Sequence, residues 1–154
     1  MSNQAAYLPL LKQAGALLEG HFILSSGLHS EYYIQIAQIM AKPNLAAKLC
    51  AELITKLKAQ INVADIDLVV SPAMGGILVG YEIAKQLNKK NIFCERVNGE
   101  FQFRRGFHIE KGQKILIVED VLTTGKSSLE AYEAARKLGA EIIAECSIIR
   151  RNPN

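Results

Sequence analysis

Four apolar residues, Ile115-Leu116-Ile117-Val118, run straight into Glu119-Asp120-Val121-Leu122-Thr123-Thr124-Gly125-Lys126-Ser127-Ser128 and from there into a segment of helical period. So short an apolar run, without polar alternation, suits a strand covered on both faces, and helices packed on a parallel sheet supply that cover. The chain repeats the unit. A strand at residues 67–70 leads into a glycine-containing turn, Ser71 to Gly76, then a helix at 77–88 and a strand at 91–94. After the second turn a helix at 128–138, capped by Gly139, leads to a strand at 142–149. The expected fold is α/β: an open, mainly parallel twisted sheet with helices on both faces, receiving ligands at the carboxyl ends of its strands.

The amino-terminal part reads differently. Apolar positions from Gln4 to Leu18 have helical spacing and Gly20 follows as a stop, while residues 22–24 and 32–39 read as short strands around Ser25-Ser26-Gly27. Pro43 opens a further helix, whose stripe Leu45, Leu49, Leu53 and Leu57 should end near Gln60. With 154 residues, 49% of them hydrophobic, the chain is expected to form a single domain, residues 1–40 preceding an α/β core at 41–154. A dispersed excess of 18 basic over 15 acidic residues does not indicate nucleic acid and suits a small anion better. No segment approaches the ~20 apolar residues that span a bilayer, and no leader pattern opens the chain, so no membrane and a cytoplasmic location are expected. Cys50, Cys94 and Cys146 stand apart in apolar runs, as buried thiols do in a reducing compartment.

The segment after Val118 carries the chemistry. Amides at a helix start have no internal partner, and the helix dipole adds about half a positive charge, so Thr123 to Ser127 would wrap one phosphate. Gly125 permits close approach, and the hydroxyls of Thr123, Thr124, Ser127 and Ser128 add donors. Glu119 and Asp120 would repel that phosphate, so they are expected to face hydroxyls, or a divalent cation, on the same ligand. A ribose phosphate meets both demands. An ordinary helix cap needs one such residue, whereas this turn gathers several. A nucleotide P-loop would need its first glycine where Asp120 stands.

Val118 to Gly125 resembles the phosphoribosyl pyrophosphate (PRPP) signature of type I phosphoribosyltransferases. The resemblance implies that Glu119 and Asp120 hold the ribose hydroxyls, that Val121, Leu122, Thr123, Thr124, Gly125, Lys126 and Ser127 hold the 5-phosphate, and that Met74 and Gly75 sit in the pyrophosphate loop. Lys126 stands where many relatives carry a second glycine. Two further segments resemble the orotate branch of the family. Gly20 to Tyr33 is similar to its amino-terminal hood, which implies orotate contacts from Ser25, Ser26, Gly27 and Tyr33, joined by Thr123 and by Arg151 at the end of the last strand. Glu95 to Phe107 is similar to its mobile loop and following strand, which implies that Arg96 reaches pyrophosphate in the partner's site and that the protein is a homodimer with shared active sites. Arg104 and Arg105, adjacent on a strand, should point to opposite faces. The loop from Val97 to Phe103 lacks the lysine that the family often has there.

The implied activity is transfer of the phosphoribosyl group of PRPP to orotate, with release of orotidine monophosphate and pyrophosphate in pyrimidine (UMP) biosynthesis. Asp120 and Arg96 would be the catalytic residues, and Mg2+ the cofactor, held through PRPP rather than by protein ligands. A purine-type phosphoribosyltransferase, or a catalytically weak PRPP- or nucleotide-binding regulatory module, would share the 119–127 turn without the hood chemistry.

Overall fold

The computed structural model describes residues 4–23 and 27–150, and the chain divides into two compact units, residues 1–46 and 47–154. The first holds helix α1 (Gln4–Gln13), the antiparallel pair β1 (Leu17–Ile23) and β2 (His29–Ile34), and one turn of helix, α2 (Ala37–Met40). Helix α1 is shorter than its apolar spacing predicts. Gly15, at φ +72°, turns the chain, and Leu17 and Leu18 pair with Ile34 and Tyr33 instead. The strand expected to reach Ile39 stops at Ile34 for a related reason: Ile36, the cap of α2, and Ile39 within it, three apart and both fully buried, share one face of that helical turn.

Helix α3 (Pro43–Lys58) starts at its proline and runs from the first unit into the second. Its buried line is Ala46, Leu49, Cys50, Ile54 and Leu57, which keeps Leu49 and Leu57 of the predicted row. A strict spacing of four drifts by about 40° per turn on a 3.6-residue helix, which leaves Leu45 at the edge of the buried face; Leu53 is half-buried.

In the second unit, β3 (Leu68–Pro72), β4 (Lys90–Val97), β5 (Glu100–Gln102), β6 (Lys114–Leu122) and β7 (Glu141–Arg150) form one sheet in the order β5-β4-β3-β6-β7. All neighbours are parallel except the short β5, which returns antiparallel along β4. Helices α4 (Gly76–Leu87) and α5 (Lys126–Lys137) are the crossovers. Leu68, Val70, Ile92, Ile115, Ile117 and Ala135 form one buried cluster, against which Phe103, Phe107 and Tyr132 pack. The mainly parallel sheet expected from the apolar runs is therefore present.

Two details position the site. Strand β6 does not end at Val118: pairing with β7 continues through Glu119 with Ser147 and Leu122 with Arg150, so both carboxylates project from a strand end rather than from a loop. Backbone pairing is indifferent to side-chain polarity, and so β6 outlasts its apolar run. Helix α4 comes close to the sheet at its glycines, since a Cβ on Gly80 would fall 1.8 Å from Ser71 Oγ and one on Gly76 would fall 3.0 Å from the Val118 carbonyl oxygen. That closeness sets the β3–α4 turn beside the end of β6.

Candidate active site

Strands β3 and β6 are direct neighbours, roughly 4.8 Å apart in a paired sheet, so the turns leaving their carboxyl ends lie side by side. Each turn feeds a twelve-residue helix with no side-chain cap, whose amino-terminal end points its dipole at an anion. After β6, Gly125 takes φ +77° as the cap of α5, the Lys126 amide donates to Thr124 Oγ1 at 3.4 Å, and Thr123, Thr124 and Ser127 are exposed. After β3, the Ala73–Met74 peptide is cis, Met74 is 83% exposed and Gly75 caps α4. Asp120 joins the two turns. A Cβ on Gly75 would lie 2.2 Å from Asp120 Oδ2, so the missing side chain at 75 is the space that the Asp120 carboxyl group occupies.

The acidic pair is split by strand alternation. Asp120 is half-buried, whereas Glu119 is 6% exposed, and burial pushes its carboxyl up to about 7; the Ser128 hydroxyl opposes that rise, and the nearby Asp120 and Glu145 add to it. Glu119 Oε1 and Ser128 Oγ are both enclosed without a completed hydrogen bond. A hollow of about 220 Å³ lined by Leu122, Gly125, Ser128, Leu129, Tyr132 and Glu145 lies alongside. A larger cleft of about 600 Å³, lined by residues including Asp67, Lys89, Lys90 and Lys111, opens at the amino ends of the strands, away from both anion-receiving turns.

Arg96, near the end of β4, makes three contacts within the second unit and stays 41% exposed. Its Nη1 donates to the Gly99 carbonyl at 2.6 Å, its Nη2 to the carboxylate of Glu130 on α5, and its guanidinium lies 4.4 Å from the centroid of Phe101. The segment expected as a loop from Val97 to Phe103 is a hairpin arm, because Asn98 and Gly99, both at positive φ, form a tight turn into β5. Arg104 and Arg105 do not diverge. They lie in the turn after β5 and both reach Glu95, Arg105 Nη2 at 2.9 Å and Arg104 Nη1 at 3.6 Å.

Of the residues expected to bind orotate, Thr123 is exposed in the turn after β6, and in the first unit Gly27 is exposed at φ +80° and Tyr33, 38% exposed, stacks near Phe22 with centroids 5.5 Å apart. Ser25, Ser26 and Arg151 lie outside the described residues. His21 and His29 contact each other at 2.6 Å on the surface of the hairpin. Ser128, expected to offer its hydroxyl to the phosphate, is instead buried beside Glu119; Glu130 and Glu145 were not legible as site residues, the four-residue spacing from Lys126 to Glu130 being the one local signal.

The open parallel sheet with two anion-receiving turns flanking a carboxylate defines a class, the phosphoribosyltransferases, and residues 35–153 match the phosphoribosyl transferase domain family. The chain belongs to that family, in its orotate phosphoribosyltransferase branch. It is 52% identical over 141 residues to an orotate phosphoribosyltransferase of Sphingopyxis alaskensis, an alignment that spans 92% of this chain and 71% of the relative. The fold superposes with a TM-score of 0.80 on the orotate phosphoribosyltransferase of Aeropyrum pernix, at 25% identity and covering 96% of this chain and 83% of that one. It also matches the adenine phosphoribosyltransferase of Saccharomyces cerevisiae at a TM-score of 0.72 and 23% identity, covering 96% and 89% of the two chains, a likeness of fold alone.

Proposed function

We propose that the chain transfers the 5-phosphoribosyl group of PRPP to orotate, giving orotidine 5'-monophosphate and pyrophosphate in the synthesis of UMP. The observation that carries this reading is the Asp120 carboxyl group, seated against Gly75 between two turns built to receive anions. A ligand with a phosphate at each end and hydroxyls between them matches that order.

The 5-phosphate is assigned to the amides and hydroxyls from Thr123 to Ser127, with Val121 and Leu122 supporting the turn, and pyrophosphate to the backbone at Met74 and Gly75. Asp120 takes the ribose hydroxyls; Glu119, which the resemblance also assigns to them, lies buried beside Ser128 on the other face of β6. As the bond to pyrophosphate breaks, positive charge grows on the ribose, and the Asp120 carboxylate stabilises it more than it does the ground state. Arg96 offsets the charge gathering on pyrophosphate. Orotate is assigned to Ser25, Ser26, Gly27 and Tyr33 with Thr123 and Arg151; its ring nitrogen is readily deprotonated, so no strong protein base is required. Among the described residues no group of three or more His, Cys, Asp or Glu side chains is arranged as a metal cage, and Asp120 is one half-buried carboxylate at the pyrophosphate side. That donor set fits Mg2+, which usually binds through one or two carboxylates together with substrate phosphates and would supply charge neutralisation on pyrophosphate. A homodimer with shared sites, in the cytoplasm, completes the reading; the three cysteines are free thiols, in keeping with a reducing compartment.

Loss of orotate absorbance with PRPP and Mg2+ tests the assignment, with adenine and hypoxanthine as competing bases. Orotate should be consumed and the purines ignored, and Asp120→Asn should lower kcat/KM on the order of a hundredfold with the melting temperature preserved. Equal activity in Asp120→Asn would remove that residue from the site, and turnover of purines alone would assign the chain to the other branch.

A further inference from the structure

Each terminal nitrogen of Arg96 already makes one hydrogen bond, Nη1 to the Gly99 carbonyl and Nη2 to the Glu130 carboxylate, so a pyrophosphate oxygen that takes either of these N–H groups displaces the partner there. The three contacts differ in kind. Gly99 and Phe101 belong to the same β4–β5 hairpin as Arg96 and would move with it, held by the tight Asn98–Gly99 turn. Glu130, on α5, is the tether to a different element, and it brings a full negative charge to a cation that the reaction needs for a phosphate. The Arg96 hydrogen bond and charge hold the Glu130 carboxyl below the usual range, and Lys126, four residues before Glu130 on the same helix and one turn away, adds to the effect. When Arg96 leaves, Glu130 keeps a cationic neighbour.

We propose that Glu130 is a positioning residue that competes with pyrophosphate for Arg96: it holds the guanidinium against α5 and releases it to the more highly charged ligand, remaining beside Lys126 after the exchange. This rests on the assignment of Arg96 to pyrophosphate. It also gives Lys126, which replaces the second glycine of the family's phosphate loop, a use beyond the phosphate itself. The exchange applies whether Arg96 serves its own site or a partner's, because either route begins with leaving Glu130.

Binding of inorganic pyrophosphate with Mg2+, measured by calorimetry on the full chain, tests the competition. Removal of an exposed ion-pair competitor by Glu130→Gln should tighten pyrophosphate about two- to fivefold. In steady state the KM for PRPP should fall while kcat changes less. Glu133→Gln removes the same charge from α5, at a residue paired with Arg136 and outside the site, and should leave affinity unchanged. In an Arg96→Gln background, Glu130→Gln should have no further effect. If Arg96→Gln alone leaves pyrophosphate binding intact, the assignment of Arg96 fails and the competition fails with it. If Arg96→Gln weakens binding but Glu130→Gln does not tighten it, or tightens it equally without Arg96, the competition alone is overturned.

Discussion

Glu119→Gln should make the protein more stable while damaging its site, and the structure sets the size of the gain. The carboxyl group is 6% exposed with one oxygen unpartnered, and burial raises it from an ordinary value near 4.5 to about 7. Such a group holds its proton more tightly in the folded chain than in the unfolded one. Its favourable contribution is complete below about 4.5, and is lost as pH rises through 7 and the folded state must keep a buried carboxylate. A difference of about 2.5 pH units at 1.36 kcal/mol each amounts to at most about 3 kcal/mol at pH 8. Glutamine preserves the shape without the charge. Urea unfolding from pH 5.5 to 8 should therefore show the variant gaining on the native chain as pH rises, by on the order of 3 kcal/mol at pH 8 and less than half of that at pH 5.5. PRPP binding should weaken in the same variant. A stability difference that stays flat across this range would show that Glu119 is not held as a buried acid, and the reasoning would fail.

Other consequences are open to direct measurement. Gly80→Ala places a methyl 1.8 Å from Ser71 Oγ and should lower stability by about 1–2 kcal/mol in thermal unfolding, overpacking outweighing the gain in helix propensity; adding Ser71→Ala, which also removes a buried hydroxyl without a partner, should recover most of the loss. Gly125→Ala forces an L side chain to φ +77° at a cost of about 1–2 kcal/mol, and should raise the KM for PRPP several-fold while leaving that for orotate unchanged. Chelation of divalent cations should abolish turnover without shifting the melting temperature, since the charge they neutralise lies on the ligand.

The repeated strand-turn-helix unit was legible because Leu68 to Val70 and Ile115 to Val118 are buried on both faces, and such burial leaves an unbroken apolar run. The 119–127 turn was legible because its chemistry is local in the chain. What escaped was set by contacts far apart in sequence or by backbone pairing. Glu119 and Asp120 look like loop residues until β7 is known to pair with them. Arg104 and Arg105 converge on Glu95 through a turn that no strand rule anticipates. The segment from Val97 to Phe103 was read through its resemblance to a mobile loop, whereas Asn98 and Gly99 turn it into a hairpin. Glu130 meets Arg96 across 34 residues, and nothing in the composition announces the pair.

A crystal structure determined with PRPP and Mg2+ bears most directly on the account. It should place the ribose hydroxyls at Asp120, the 5-phosphate on the amides that start α5, and the pyrophosphate along the turn at Met74 and Gly75. PRPP bound elsewhere, or a ribose whose hydroxyls turn away from Asp120, would contradict it.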